Sequence, residues 1–284
     1  MVSGIFALEN WFLIFLGVVW IIGAVLQDIK RREVDNLWNF SLIAFALAYR
    51  LIISIWIGDY WFILNGVLGF VLFLGLGNLF YYCRLFAGGD AKLVIALGAI
   101  LPLSYNWITN LEIFGAFILL FLICGSIYAL IWAFCLVFIN FKDFKKEFVK
   151  LWKIYKKMFL IALAFAILWS LFAILMNRVF LILIGLVILL FPVLFVFAKA
   201  VENCYMIKSV KPNKVTLGDW LYEDILIGGK KIKSNWEGVT EKELKLIQKK
   251  CRKNILIKQG IPFTPSFLFG FIVLLWLAWR YGWF

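Results

Sequence analysis

MFLIALAFAILWSLFAILMNRVFLILIGLVILLFPVLFVFA runs from Met158 to Ala198, and only Asn177 and Arg178 break its apolar character. One helix of about forty residues would be roughly 60 Å long, twice the hydrocarbon thickness that about 20 residues cross. The stretch therefore reads as two membrane spans, 158–176 and 179–198, folded back on each other at the two polar residues. Composition carries the same reading to the rest of the chain. It is 65% hydrophobic and 19% aromatic over 284 residues, against roughly 45–50% apolar content in soluble domains.

Six further apolar runs lie at 5–27, 37–57, 61–83, 91–103, 112–139 and 262–282. The expected fold is an all-α, polytopic transmembrane helix bundle of about eight spans, the fourth short, with a small cytosolic region. That fourth run holds Gly98 and Pro102, so it is tilted, continues past Pro102, or sits partly inside the bundle, where protein satisfies an irregular backbone. The first span has Glu9 where a basic n-region would stand, and no small-residue cleavage site follows, so a cleaved signal peptide is not expected. The expected organisation is a membrane core at 1–139, a basic cytosolic loop at 140–157, the hairpin at 158–198, a basic cytosolic subdomain at 199–261 and a last span within 262–284.

Charge orients these spans. Of the 29 Lys and Arg residues, 26 fall in 28–36, 84–92, 140–157 and 199–261, and only Arg50, Arg178 and Arg280 fall elsewhere. With eight crossings those four segments share one side, and the positive-inside rule makes it the cytoplasmic one. The formal net charge of +13 is then explained by topology and contact with anionic membrane lipid, and no nucleic acid is expected as a partner.

The same count brings two carboxylates to one membrane face. Asp28 follows span 1 in IIGAVLQDIKRREVDNLWN, and Asp90 precedes span 4 in LFAGGDAKLVIALGAILP. Two acids that approach closely cannot both ionise easily. The pair can hold one proton, so that one acid polarises a peptide carbonyl while the other takes a proton from water. Other routes to hydrolysis are thin. The chain has no His, which removes Ser-His and Cys-His relays, and its five Cys show no C-x-x-C spacing, so no metal site and no cofactor are expected. Each acid also has a structural reading: Asp28 as a polar helix end, Asp90 as a helix cap. Asp35 or Asn36 is expected to cap span 2. Gly88 and Gly89 remove bulk beside Asp90 and permit positive φ, which would let an extended substrate lie against the backbone. Lys92 either stabilises the charged form of Asp90 or pairs with lipid phosphate.

AGGDAKL, with DIKRREVDN upstream, resembles the GxGD-type aspartic peptidases of the type IV prepilin and archaeal preflagellin peptidase family. The resemblance covers 20–103, with Ala87 in place of the first motif glycine. GDWLYEDI at 218–225 and GIPFTPSFL at 260–268 resemble the carboxy-terminal part of archaeal members. It implies that Asp28 and Asp90 are catalytic, with Gly88, Gly89 and Lys92 as motif support. It further implies a cell-membrane enzyme with its active site facing the cytoplasm, removing a short basic leader from prepilin or preflagellin (archaellin)-like precursors. The cysteine-rich insertion and methyltransferase glycine pattern of bacterial members are absent, so N-methylation is not implied. A polytopic transporter, or a pilus or archaellum assembly factor without peptidase activity, is the alternative. Transporter acids normally lie near the midplane, often with broken helices in related halves.

Within 199–261, TEKELKLIQKK carries a capping box, Thr240 with Glu243, and apolar Leu244, Ile247 and Cys251 at helical spacing. The expectation is a short amphipathic helix docked on the membrane surface.

Overall fold

The computed structural model describes residues 4–282, and the chain divides into two packed units. One comprises the residues up to Leu130 together with those from Pro262; the other is Ile131–Ile261. The expected boundary at 139 thus moves inward, because Ala133 and Val137, in the last turns of the fifth helix, pack with Phe144 and Val196 of the second unit.

The first unit is built from α1 (Asn10–Arg31), α2 (Asn36–Ile57), α3 (Trp61–Tyr82), α4 (Gly88–Leu97), most of α5 (Trp107–Ile139), and α9 (Pro265–Tyr281). Helices α1, α2, α3 and α5 are each long and apolar enough to cross a membrane, and α9 is a shorter apolar helix. Their outward faces are apolar and exposed, as Phe15, Ile52, Val71 and Ile127 show, which is the arrangement a lipid environment demands. The core holds Leu13, Ile21, Leu42, Phe73, Phe117, Phe121, Phe267 and Phe271.

The fourth run crosses this bundle by two kinds of backbone. It is helical for ten residues, then runs through a turn at 98–100 into irregular backbone, and is wholly buried from Ala99 to Leu103. Glycines let it lie against α3. A Cβ on Gly77 would fall 2.9 Å from the Ala91 carbonyl oxygen, and one on Gly69 would fall 2.4 Å from that of Gly98. Farther along, Asn65 Nδ2 of α3 donates to the carbonyls of Ser104 and Tyr105. Residues 88–105 therefore follow α3 from Tyr81 to Phe62, nearly its whole length. The carbonyls that this part leaves without helical partners are collected by Arg50 of α2. Its guanidinium is fully buried and donates to Ala99 at 3.0 Å, Ile100 at 3.1 Å, Pro102 at 2.6 Å and, on α3, Phe62 at 3.1 Å. Arg50 is thus an internal clamp and not a surface charge opposite the basic side.

The second unit contains the end of α5, α6 (Phe141–Leu175), α7 (Ile182–Val201), β1 (Ile207–Val210), β2 (Trp220–Leu221), β3 (Ile225–Ile227), β4 (Lys230–Ile232), α8 (Glu241–Lys250) and β5 (Ile255–Lys258). Helices α6 and α7 form the expected hairpin, with Asn177 in the left-handed region at its tip. The segment 140–157 is not a loop. It is the first half of α6, because Phe144, Phe148, Leu151, Trp152 and Tyr155 recur at helical spacing and pack on Val196, Phe197, Ala200 and Val201 of α7. At 35 residues α6 is about 52 Å long, well beyond a hydrocarbon core of about 30 Å.

The 199–261 stretch folds around its own core of Val215, Leu221, Ile227, Ile232, Val239, Ile247, Ile255 and Ile257. An antiparallel sheet of order β1-β5-β2 and a β3-β4 hairpin frame it. The capping box on α8 forms, with the Thr240 N–H donating to Glu243 Oε2 at 2.9 Å. The apolar face of α8 is nevertheless occupied by protein: Ile247 is fully buried, and Leu244 and Cys251 pack on the same core. Surface docking through that face is therefore overturned.

Candidate active site

Asp28 stands in the last turn of α1, on the same face as the buried Ile21 and Ala24. The helix ends four residues later, where the Arg32 N–H donates to the Asp28 carbonyl oxygen at 2.8 Å with Arg32 at φ 62°. The chain then turns into α2 through residues 32–35. Asp35 occupies the N-cap position of α2 in extended conformation, but its carboxylate does not cap. It pairs with Arg31 at 2.7 Å, while its N–H donates to Gln27 Oε1. A cation one helical turn away has won over the backbone amides the sequence pointed to.

Asp90 stands in the first turn of α4, at the rim of the fourth crossing and outside the six long spans. Gly88 and Gly89 precede it as ordinary helical residues, and neither is among the positive-φ glycines. A Cβ on Gly88 would meet its nearest neighbour, Tyr81, at 3.8 Å, and one on Gly89 would meet the Val34 nitrogen at 3.5 Å. The two glycines are not needed for a turn. A Cβ at either position would make only ordinary van der Waals contact. Lys92 Nζ donates to Asn36 Oδ1 at 2.6 Å, tying α4 to the start of α2.

These elements bring the two acids together. Burial first, and then the charge of Asp28, push the Asp90 carboxyl up to about 7. Asp28 itself is buried and held from the far end of the chain, because its Oδ2 accepts the Thr264 hydroxyl at 2.9 Å and the Thr264 N–H at 3.2 Å. Thr264 opens α9, with Pro265 as the first helical residue. The sequence carried that start signal in the Thr-Pro pair of GIPFTPSFL, but nothing local connected it with Asp28. Aromatic rings fix both sides of the site. Phe86, four residues ahead of Asp90, packs at 5.8 Å from Phe263 and 6.1 Å from Phe267, the residues that bracket Thr264.

A model of the type IV leader peptidase family matches residues 14–134. Both aspartates lie inside the matched segment, and Thr264 lies outside it. Among curated proteins, the preflagellin peptidase of Methanococcus maripaludis is 30% identical over 133 residues, which cover 44% of this chain and 57% of that protein. The preflagellin peptidase of Methanocaldococcus jannaschii is 31% identical over 91 residues, 32% of this chain and 38% of that protein. The chain thus spans little more than half the length, at most, of these curated relatives. No solved structure matches it.

A carboxylate pair of this kind can share one proton, with one acid as donor and its partner as acceptor. Neither a metal nor a covalent nucleophile is required for such a pair to activate water.

Proposed function

We propose that the chain is a membrane-embedded aspartic endopeptidase that removes the short basic leader from prepilin-like or preflagellin-like precursors, with Asp28 and Asp90 as its catalytic dyad. One observation carries the reading. Two acids about sixty residues apart in sequence meet at one end of the bundle, where the charge of one raises the other, inside the segment that matches the leader peptidase family.

In the reaction, water attacks the scissile carbonyl carbon as one acid takes its proton and the other protonates the carbonyl oxygen. The resulting gem-diol collapses as the first acid gives its proton to the departing nitrogen and the second recovers its own, so the C–N bond breaks and the pair is restored. The basic residues after α1 and beside α4 support a cytoplasmic placement of this end, where a leader ahead of an apolar helix would present its scissile bond at membrane depth. No N-methylation accompanies cleavage.

Membranes containing the protein, incubated with prepilin-like and preflagellin-like precursors with and without their leaders, test the proposal. Leader-dependent shortening that is lost in both Asp28→Asn and Asp90→Asn is expected. Substantial cleavage by either variant refutes the dyad.

A further inference from the structure

A dyad of two chemically identical acids works only if something decides which one begins as the base. Here the two surroundings differ. Asp28 Oδ2 accepts two hydrogen bonds, from the hydroxyl and the backbone N–H of Thr264, at the N-terminal end of α9. Both donors and the helix end favour a negative oxygen. Asp90 has no hydrogen bond to another described residue, and its burial, followed by the charge of Asp28, favours the neutral acid.

Thr264 is also held too firmly for this contact to be incidental. It and Ser266 are completely buried, and the Ser266 hydroxyl donates to the Phe263 carbonyl at 2.6 Å. Helix α5 approaches the start of α9 across Gly125, where a Cβ would fall 2.8 Å from the Phe263 ring and 3.0 Å from Ser266 Cβ. One helical turn along each, Gly270 meets the Phe121 backbone in the same way.

We propose that Thr264 is a positioning residue that holds Asp28 as the carboxylate taking the proton from water, so that Asp90 is the acid that protonates the scissile carbonyl oxygen. This assignment of roles rests on the peptidase reading above. The charged and titratable groups facing Asp28 are Asp90 from α4, Tyr128 from α5 and, on its own helix, Arg32, whose charge reaches Tyr128 together with that of Asp28. Asp35, on the neighbouring turn, is engaged by Arg31. None of these changes when Thr264 is replaced, so the effect of losing its hydroxyl is separable.

The test is a pH–rate profile of the full-length enzyme in membranes, for wild type, Thr264→Ser and Thr264→Val. The rate rises on the acid side and falls on the alkaline side as the pair enters and leaves its singly protonated form. Removing one donor to the anion destabilises that form, so the acid limb of Thr264→Val moves up by about one pH unit. Its alkaline limb stays in place, and Thr264→Ser retains the wild-type profile. If Thr264→Val does not accumulate, Thr264→Ala removes the same donor with less bulk and carries the comparison. An acid limb that does not move, an alkaline limb that moves instead, or a Ser variant as shifted as Val overturns the assignment while leaving the dyad standing. A wild-type enzyme that cleaves no leader-bearing precursor removes the dyad reading and the assignment together.

Discussion

Replacing Arg50 with methionine should loosen the fourth crossing without touching the aspartates. Arg50 supplies donors to four main-chain carbonyls, three of them just past the end of α4 at Ala99, Ile100 and Pro102. In the bilayer no water replaces it. Side-chain hydrogen bonds between membrane helices average about 0.6 kcal/mol each, which sets a floor of about 2 kcal/mol for four. Orphaned buried carbonyls cost about 1–3 kcal/mol each, partly offset because the variant no longer buries a guanidinium. The expected loss is therefore about 3–5 kcal/mol, with faster amide exchange confined to residues 98–105. Gly66→Ala should act through the same clamp, since its Cβ would fall 2.4 Å from Arg50 Cδ; the double variant should then lose much less than the two single losses combined. Reversible unfolding in mixed micelles with increasing denaturing detergent measures both. An Arg50→Met protein within about 1 kcal/mol of wild type would refute the clamp.

Because folded Asp90 holds its proton up to about 7 and an ordinary aspartate only to about 4, the native state binds more protons than the unfolded chain between those values. Stability should fall as pH rises through that window, and Asp90→Asn should flatten the slope in a micelle unfolding series. Asp35→Asn removes only an exposed ion pair with Arg31, worth about 1 kcal/mol or less, so leader cleavage should remain near the wild-type rate. Ile247→Ala empties a fully buried position under α8 and should cost about 2–4 kcal/mol, read as increased proteolysis within 207–258 with the membrane helices intact. Reporter fusions after Cys83 and Tyr105 should lie on opposite sides of the membrane, as a complete crossing by residues 88–105 requires; the same side for both would make that segment re-entrant.

How much of the structure is legible in the sequence depends on how local each signal is. The hairpin at 158–198 is written in uninterrupted hydrophobicity, and the approach of Asp28 to Asp90 was expected from a count of crossings, although the fourth run is only half helix. The lysines of 140–157 drew attention to charge, while the helical stripe from Phe144 to Tyr155 that decides its conformation lay beneath them. For α8 the periodicity was right and the covering surface was not, because the residues that meet Ile247 come from strands of two to four residues too short to register as a pattern. Arg50 and Thr264 were invisible for a different reason: each acts on a partner about 50 or 236 residues away.

That last separation imposes an order on how the protein comes into being. Synthesised from its N-terminus at about 5–20 residues per second, the chain emerges with Asp28 roughly 12 to 47 seconds before Thr264. In the meantime the whole of Ile131–Ile261, an independently packed unit, is made. Every nascent form that lacks α9 therefore carries Asp28 without the donors that complete its setting. A ribosome that stalls, or a chain that ends early, leaves an inserted bundle with both acids and no finished site, so the last helix acts as the closing step of assembly.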